Sequence, residues 1–124
     1  MTIERRKYVR FMAKENSFAA LRNGFKKVGK INDISVGGLA FSYLGEITEV
    51  DSTGNHSHID IFNSKDGFYI SNMPCSVVYE TPDSTPDEGL FIRMSRCGFQ
   101  FGELNGSQLE QLELFMENYT TGSL

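Results

Sequence analysis

Phe25-Lys26-Lys27-Val28-Gly29-Lys30-Ile31-Asn32-Asp33-Ile34-Ser35-Val36-Gly37-Gly38-Leu39-Ala40-Phe41-Ser42-Tyr43-Leu44 is the stretch on which the fold turns. Two β-favouring runs, Phe25–Ile34 and Leu39–Leu44, flank a short Ser/Gly break, the pattern of one strand returning beside another. The same grammar extends in both directions. Upstream, Phe18-Ala19-Ala20-Leu21 runs into a break at Asn23-Gly24. Downstream come His58–Phe62, a turn at Asn63–Gly67, and Phe68–Glu80, in which Cys75, Val77 and Tyr79 alternate with Ser76, Val78 and Glu80. A turn-rich gap from Thr81 to Gly89 precedes the last run, Leu90–Phe101, and a polar loop at Glu46–Ser57 lies in mid-chain. Five or six short strands with hairpin-like breaks predict an antiparallel barrel or sandwich.

The period changes at the C-terminus. Asn105 and Gln108 have the spacing of a capping box, and Leu109, Leu112, Phe115, Met116 and Tyr119 then fall on one face. Glu110, Glu113 and Glu117 lie off that face. An amphipathic helix over 105–119 is expected, with its apolar side on the open side of the barrel. The chain is therefore read as all-β with one C-terminal helix.

With 124 residues and 40% apolar content, the chain has the size and composition of one domain with a real core. It holds no apolar run near the ~20 residues of a membrane-spanning helix, and its first residues lack a secretory signal, so membrane insertion is not expected and a cytoplasmic location is. Cys75 and Cys97 form neither a C-x-x-C pair nor a disulfide framework and read as reduced thiols. Charge is unevenly spread. Residues 1–30 carry nine Lys/Arg against Glu4 and Glu15, whereas the remaining 94 residues carry three basic and fourteen acidic side chains. Such a split fits equally a local basic patch for a small anion and two halves that neutralise each other across the fold, and it opposes binding of DNA or RNA along an acidic body.

Enzyme signatures are missing from the sequence. There is no phosphate-loop or dinucleotide glycine motif and no nucleophile with a sequence-local base. His56, His58 and Asp60 would share one strand face but lack a further ligand, so neither metal nor cofactor is expected.

Two clusters remain. Arg5-Arg6-Lys7-Tyr8-Val9-Arg10 precedes the first strand, and an extended arm carrying Arg6 and Arg10 can turn two guanidinium forks toward phosphate or the O6/N7 edge of guanine. Asp33-Ile34-Ser35-Val36-Gly37-Gly38 places Asp33 and Ser35 on one side of an extended segment. A carboxylate there can accept from guanine N1–H and N2–H2, and Gly38 would permit close approach. Alone, each has a plainer reading, a solvated tail and an Asx/Ser turn.

Together, R-R-x-x-x-R (Arg5, Arg6, Arg10) and D-x-S-x-x-G (Asp33, Ser35, Gly38) about twenty residues later resemble the PilZ domain family. Cys97-Gly98-Phe99-Gln100-Phe101 followed by Glu103-Leu104 is similar to that family's last strand leading into a terminal helix. The resemblance implies a six-stranded antiparallel PilZ-type β-barrel in one domain over 1–124, with an N-terminal arm (1–16), a barrel (17–103) and a C-terminal helix (105–119). It also implies a non-enzymatic bacterial receptor for the second messenger cyclic di-GMP. On this analogy Arg6 and Arg10 are the principal clamps, and Asp33, Ser35 and Gly38 the platform. Arg5 makes a secondary contact and could serve a stacked ligand pair. A mobile arm folding over the nucleotide would then signal to a downstream effector protein. The alternatives are an adaptor that keeps the shell but answers to a protein alone, and a small barrel that stacks single-stranded nucleic acid on its aromatics.

Overall fold

The computed structural model describes residues 8–23, 25–45, 56–82 and 93–123. Its elements are β1 (Phe11–Ala13), β2 (Ser17–Asn23), β3 (Phe25–Ile34), β4 (Gly38–Gly45), β5 (His56–Asn63), β6 (Phe68–Pro82), β7 (Arg93–Phe101), α1 (Gly106–Asn118) and β8 (Thr120–Ser123). Strands β2-β5-β6-β7-β4-β3 hydrogen-bond in that order, and a β2–β3 pairing closes the ring into a six-stranded antiparallel barrel. Each run expected from alternation forms one of these six strands. Two short strands go beyond that expectation: β1 pairs with the end of β3, and β8 returns from the helix to pair with β1.

Closure makes the interior a stack of alternate residues from every strand. Ala19, Leu21, Ile31, Phe41, Ile59, Ile61, Met73, Val77, Cys97 and Phe99 are among those buried there. The expected helix forms with Asn105 as N-cap. The Asn105 side chain accepts from the Gln108 N–H while the Gln108 side chain accepts from the Asn105 N–H. Leu112 and Phe115 are fully buried and join the core, which places the helix across an opening of the barrel.

Register slips decide which side chains leave the core. Ile31 pairs with Phe41, but Asp33, not Asn32, pairs with Ala40, so β3 bulges at Asn32. Ile31 and Ile34, three apart, thereby both point inward, and Asp33 turns to the outer surface. A second slip separates Val77 from Tyr79 in β6. Strict alternation would put Tyr79 on the side of Cys75 and Val77. The bulge instead lays Tyr79 over Gly98 and sends Glu80 to an ion pair with Lys27 at 2.7 Å, beside the buried Tyr43 ring.

Candidate functional site

The two bulges act on the same patch of wall. Register carries one row across four strands, from Asp33 (β3) through Ala40 (β4) and Gly98 (β7) to Tyr79 (β6). Small residues in the middle and a carboxylate and an aromatic ring at the ends make a depression. It is a groove of about 250 Å³ lined also by Tyr8, Arg10, Ser35, Gly37, Gly38 and Gln100. Gly98 is indispensable to its floor, since a Cβ there would stand 2.1 Å from the Tyr79 ring.

Asp33 is only 3% exposed, so its charge needs partners. Arg96, on β7, donates from a terminal guanidinium nitrogen to Asp33 Oδ2 at 2.9 Å. Arg10 Nε lies 4.0 Å from the other carboxylate oxygen, Oδ1. Arg96 Nε also points at the Tyr79 hydroxyl at 3.4 Å, a long contact that still ties the arginine to the aromatic wall. The Tyr8 ring, also at the groove, lies against Gly37, where a Cβ would come within 2.3 Å of it. The groove thus offers one buried carboxylate, the Arg10 guanidinium and two tyrosine rings, with Arg96 bonded to the carboxylate, a set suited to a flat ligand bearing hydrogen-bond donors and negative charge.

Of the six residues predicted from the motifs, Arg10, Asp33, Ser35 and Gly38 meet at this groove. Arg5 and Arg6 lie outside the described residues, as does most of the Glu46–Ser57 loop. Two of the four have local duties. The Ser35 hydroxyl accepts from the N–H groups of Gly37 (3.1 Å) and Gly38 (3.2 Å), which holds the turn between β3 and β4 in shape. Gly38 faces the Phe99 carbonyl oxygen so closely that a Cβ would sit 2.0 Å from it, so glycine is needed there for strand packing. Motif reasoning missed Tyr79 and Gly98 as groove residues, Arg96 as the partner of Asp33, and Tyr8 as anything beyond a motif spacer. A trace of the β3 bulge is legible, because Ile31 and Ile34 cannot both face inward in a regular strand. Nothing in the order of residues joins Arg96 to Asp33.

A second buried aspartate lies elsewhere on the barrel. Asp60 accepts from Arg22 Nε (2.9 Å), the Asn72 N–H (2.8 Å) and the Tyr69 hydroxyl. Burial alone would push its carboxyl up, but the bonds from Tyr69, Asn72 and Arg22 outweigh this and hold it below the ordinary value. Asp60 is thus committed to the fold rather than to a metal row with His56 and His58. Burial pushes the Cys75 thiol up to about 12, which leaves it a core packing group with little thiolate.

The sequence model described as "PilZ domain" matches residues 4–118. No curated protein matches the chain. Among solved structures, the PilZ domain of YcgR from Escherichia coli, determined with c-di-GMP, superposes with a TM-score of 0.69 at 16% identity, covering 89% of this chain and 87% of that one. Full YcgR in complex with c-di-GMP gives 0.68 at 17% identity, covering 93% of this chain and 46% of that one. MrkH of K. pneumoniae in complex with c-di-GMP gives 0.71 at 16% identity, covering 94% and 53%. The chain therefore spans about half the length of those two longer proteins. At such identities the likeness is one of fold.

Proposed function

The chain belongs to the PilZ domain family, and from that premise we propose that it is a cyclic di-GMP receptor, a ligand-binding module and not an enzyme. The observation that carries this reading is the convergence of Arg10 with the D-x-S-x-x-G segment of Asp33, Ser35 and Gly38, remote from it in sequence, on one groove floored by Ala40 and Gly98. A carboxylate can accept the paired N1–H and N2–H2 donors of guanine, and arginine forks match its O6/N7 edge and the bridging phosphates. Neighbours of the same fold were solved with c-di-GMP bound, which supports the ligand class.

In this proposal Asp33 accepts the guanine edge, the Ser35 turn presents Gly37 and Gly38 as a close-approach surface, and Arg10 with Arg6 grips the nucleotide from the arm. Arg5 supplies a further contact and, where two ligands stack, reaches the second. No cofactor takes part. Ordering the arm costs conformational entropy, offset by charge-assisted hydrogen bonds, and the altered surface is what a downstream effector protein reads. The reading places the protein in the bacterial cytoplasm, where the messenger is made. Among the described residues no helix is long and apolar enough to cross a membrane. The acidic body is unsuited to DNA or RNA.

A second reading, an adaptor recognised through protein contact alone, draws on Leu109 and Leu114 of α1, each 44% exposed. Isothermal titration with cyclic di-GMP, with GTP and cyclic AMP as controls, separates the two. The receptor reading expects saturable binding of cyclic di-GMP only. Absence of heat and of thermal shift at high micromolar ligand would leave the adaptor.

A further inference from the structure

Arg96 belongs to neither motif and does not line the groove, yet its side chain is bonded to both ends of the Asp33–Tyr79 row that does. We infer that Arg96 is a positioning residue of the ligand site, one that aims the Asp33 carboxylate at the guanine edge; this rests on the receptor reading above.

The terminal torsion of an aspartate is broad, so burial alone does not orient its two carboxylate oxygens. Asp60 shows what full restraint takes: Arg22, Tyr69 and Asn72 bind it from three directions. Among the described residues, Asp33 has one donor at hydrogen-bonding distance, Arg96, on Oδ2. Oδ1 faces Arg10, whose Nε is 4.0 Å away, beyond hydrogen-bonding distance. The carboxylate is thus anchored at one oxygen and under-filled at the other. Two oxygens offer about four lone-pair sites, so a guanine edge can be accepted without displacing Arg96.

The anchor is stiffer than the clamp. Arg96 lies within β7, which pairs along its length with β4 and β6, and its guanidinium is oriented by Asp33 and by the Tyr79 hydroxyl. Arg10 stands just ahead of the three-residue strand β1, with a side chain 40% exposed. One arginine sets the carboxylate before ligand arrives, and the other stands partly exposed at the edge of the groove. Lysine would keep the charge at position 96 but not the planar fork that reaches two partners.

The test compares wild type, Arg96→Met and Arg96→Lys by titration with cyclic di-GMP and with cyclic di-IMP, which lacks the guanine 2-amino group. Wild type is expected to prefer cyclic di-GMP. Arg96→Met should lose about tenfold to a hundredfold in affinity for cyclic di-GMP and much less for cyclic di-IMP, so the preference collapses. Arg96→Lys should recover part of the affinity and little of the preference. If Arg96→Met fails to fold, Tyr79→Phe, which removes only the hydroxyl that steadies Arg96, should still reduce the preference by a few-fold. Wild-type binding with an unchanged preference in the folded variants would overturn the inference and spare the receptor reading. An equal loss for both ligands would overturn it too, by showing a role in charge or folding alone. Wild type that binds neither ligand would overturn both.

Discussion

Asp33 and Asp60 are two answers to one problem. Each is a buried carboxylate on a barrel strand, 3% and 4% exposed, beside a register slip, with an arginine and a tyrosine close at hand. At Asp60 the slip lies opposite, in β6, where Asn72 takes a left-handed φ of 58° and turns its N–H onto the carboxylate. The Tyr69 hydroxyl and Arg22 fill what remains, and the group becomes structure. At Asp33 the slip is on its own strand, the tyrosine bonds the arginine and not the acid, and Oδ1 lies 4.0 Å from Arg10 Nε. The same residue types therefore build a brace in one place and, on the proposed function, a receptor surface in the other. What differs is how many of their lone pairs the described residues already fill.

Removing each acid in turn is the strongest way to break this comparison. Asp33→Ala should reduce cyclic di-GMP affinity by about a hundredfold or more while moving the melting temperature by only a few degrees. Asp60→Ala leaves the Tyr69 hydroxyl and Asn72 N–H without their acceptor. It should cost about 2–3 kcal/mol and lower Tm by roughly ten degrees, with little change in affinity once folded. Calorimetry and titration on both variants decide the matter; a stability loss at Asp33 as large as that at Asp60 would erase the distinction.

A subtler probe leaves both acids in place. Gly98→Ala puts a methyl where the Tyr79 ring lies, so the ring must swing off the groove floor. Binding should weaken by about tenfold with the barrel intact, because the atom displaced is a side chain and not backbone. Gly38→Ala, by contrast, meets the Phe99 carbonyl and should be read out as lost stability. Affinity and thermal unfolding of the pair check this.

The smallest expected effect is in acid. The Asp60 carboxyl is held below its ordinary value in the folded state, so its contribution to stability is present above the unfolded-state value of about 3.9 and lost as pH falls through the lower, folded one. Asp60→Asn should therefore flatten the fall in stability below about pH 4 and leave the neutral-pH slope unchanged. Denaturant unfolding at stepped pH measures it, and an unaltered acid slope would show that the brace carries no such linkage.

Much of the fold is legible in the order of residues alone. The alternation in Phe25–Leu44 and its neighbours, the Asn105/Gln108 cap and the helix face ending in Phe115 depend on contacts between residues near in sequence, where period and turn chemistry speak directly. Strands β1 and β8 escape such reading because three or four residues carry no period, and each is a strand only through the other and through β3. The phase slips that bring Asp33 and Tyr79 outward, beyond the trace left by the Ile31–Ile34 spacing, are hidden for a related reason. A bulge is chosen by what the rest of the sheet must bury, and Ile34 and Val77 are what the barrel keeps inside.

By itself the sequence determined the strand-forming runs, five or six in count, the capped helix, the basic first quarter and the two motifs that Arg10, Asp33, Ser35 and Gly38 represent. Only the tertiary structure decided that Asp33 is under-filled and Asp60 is full, that Arg96 stands between Asp33 and Tyr79, and that Gly98 leaves room for the ring. The physical reason is distance. A lone pair is satisfied by whatever donor the closed barrel brings beside it, and the arginine donors to Asp33 and Asp60 come from strands 63 and 38 residues away along the chain.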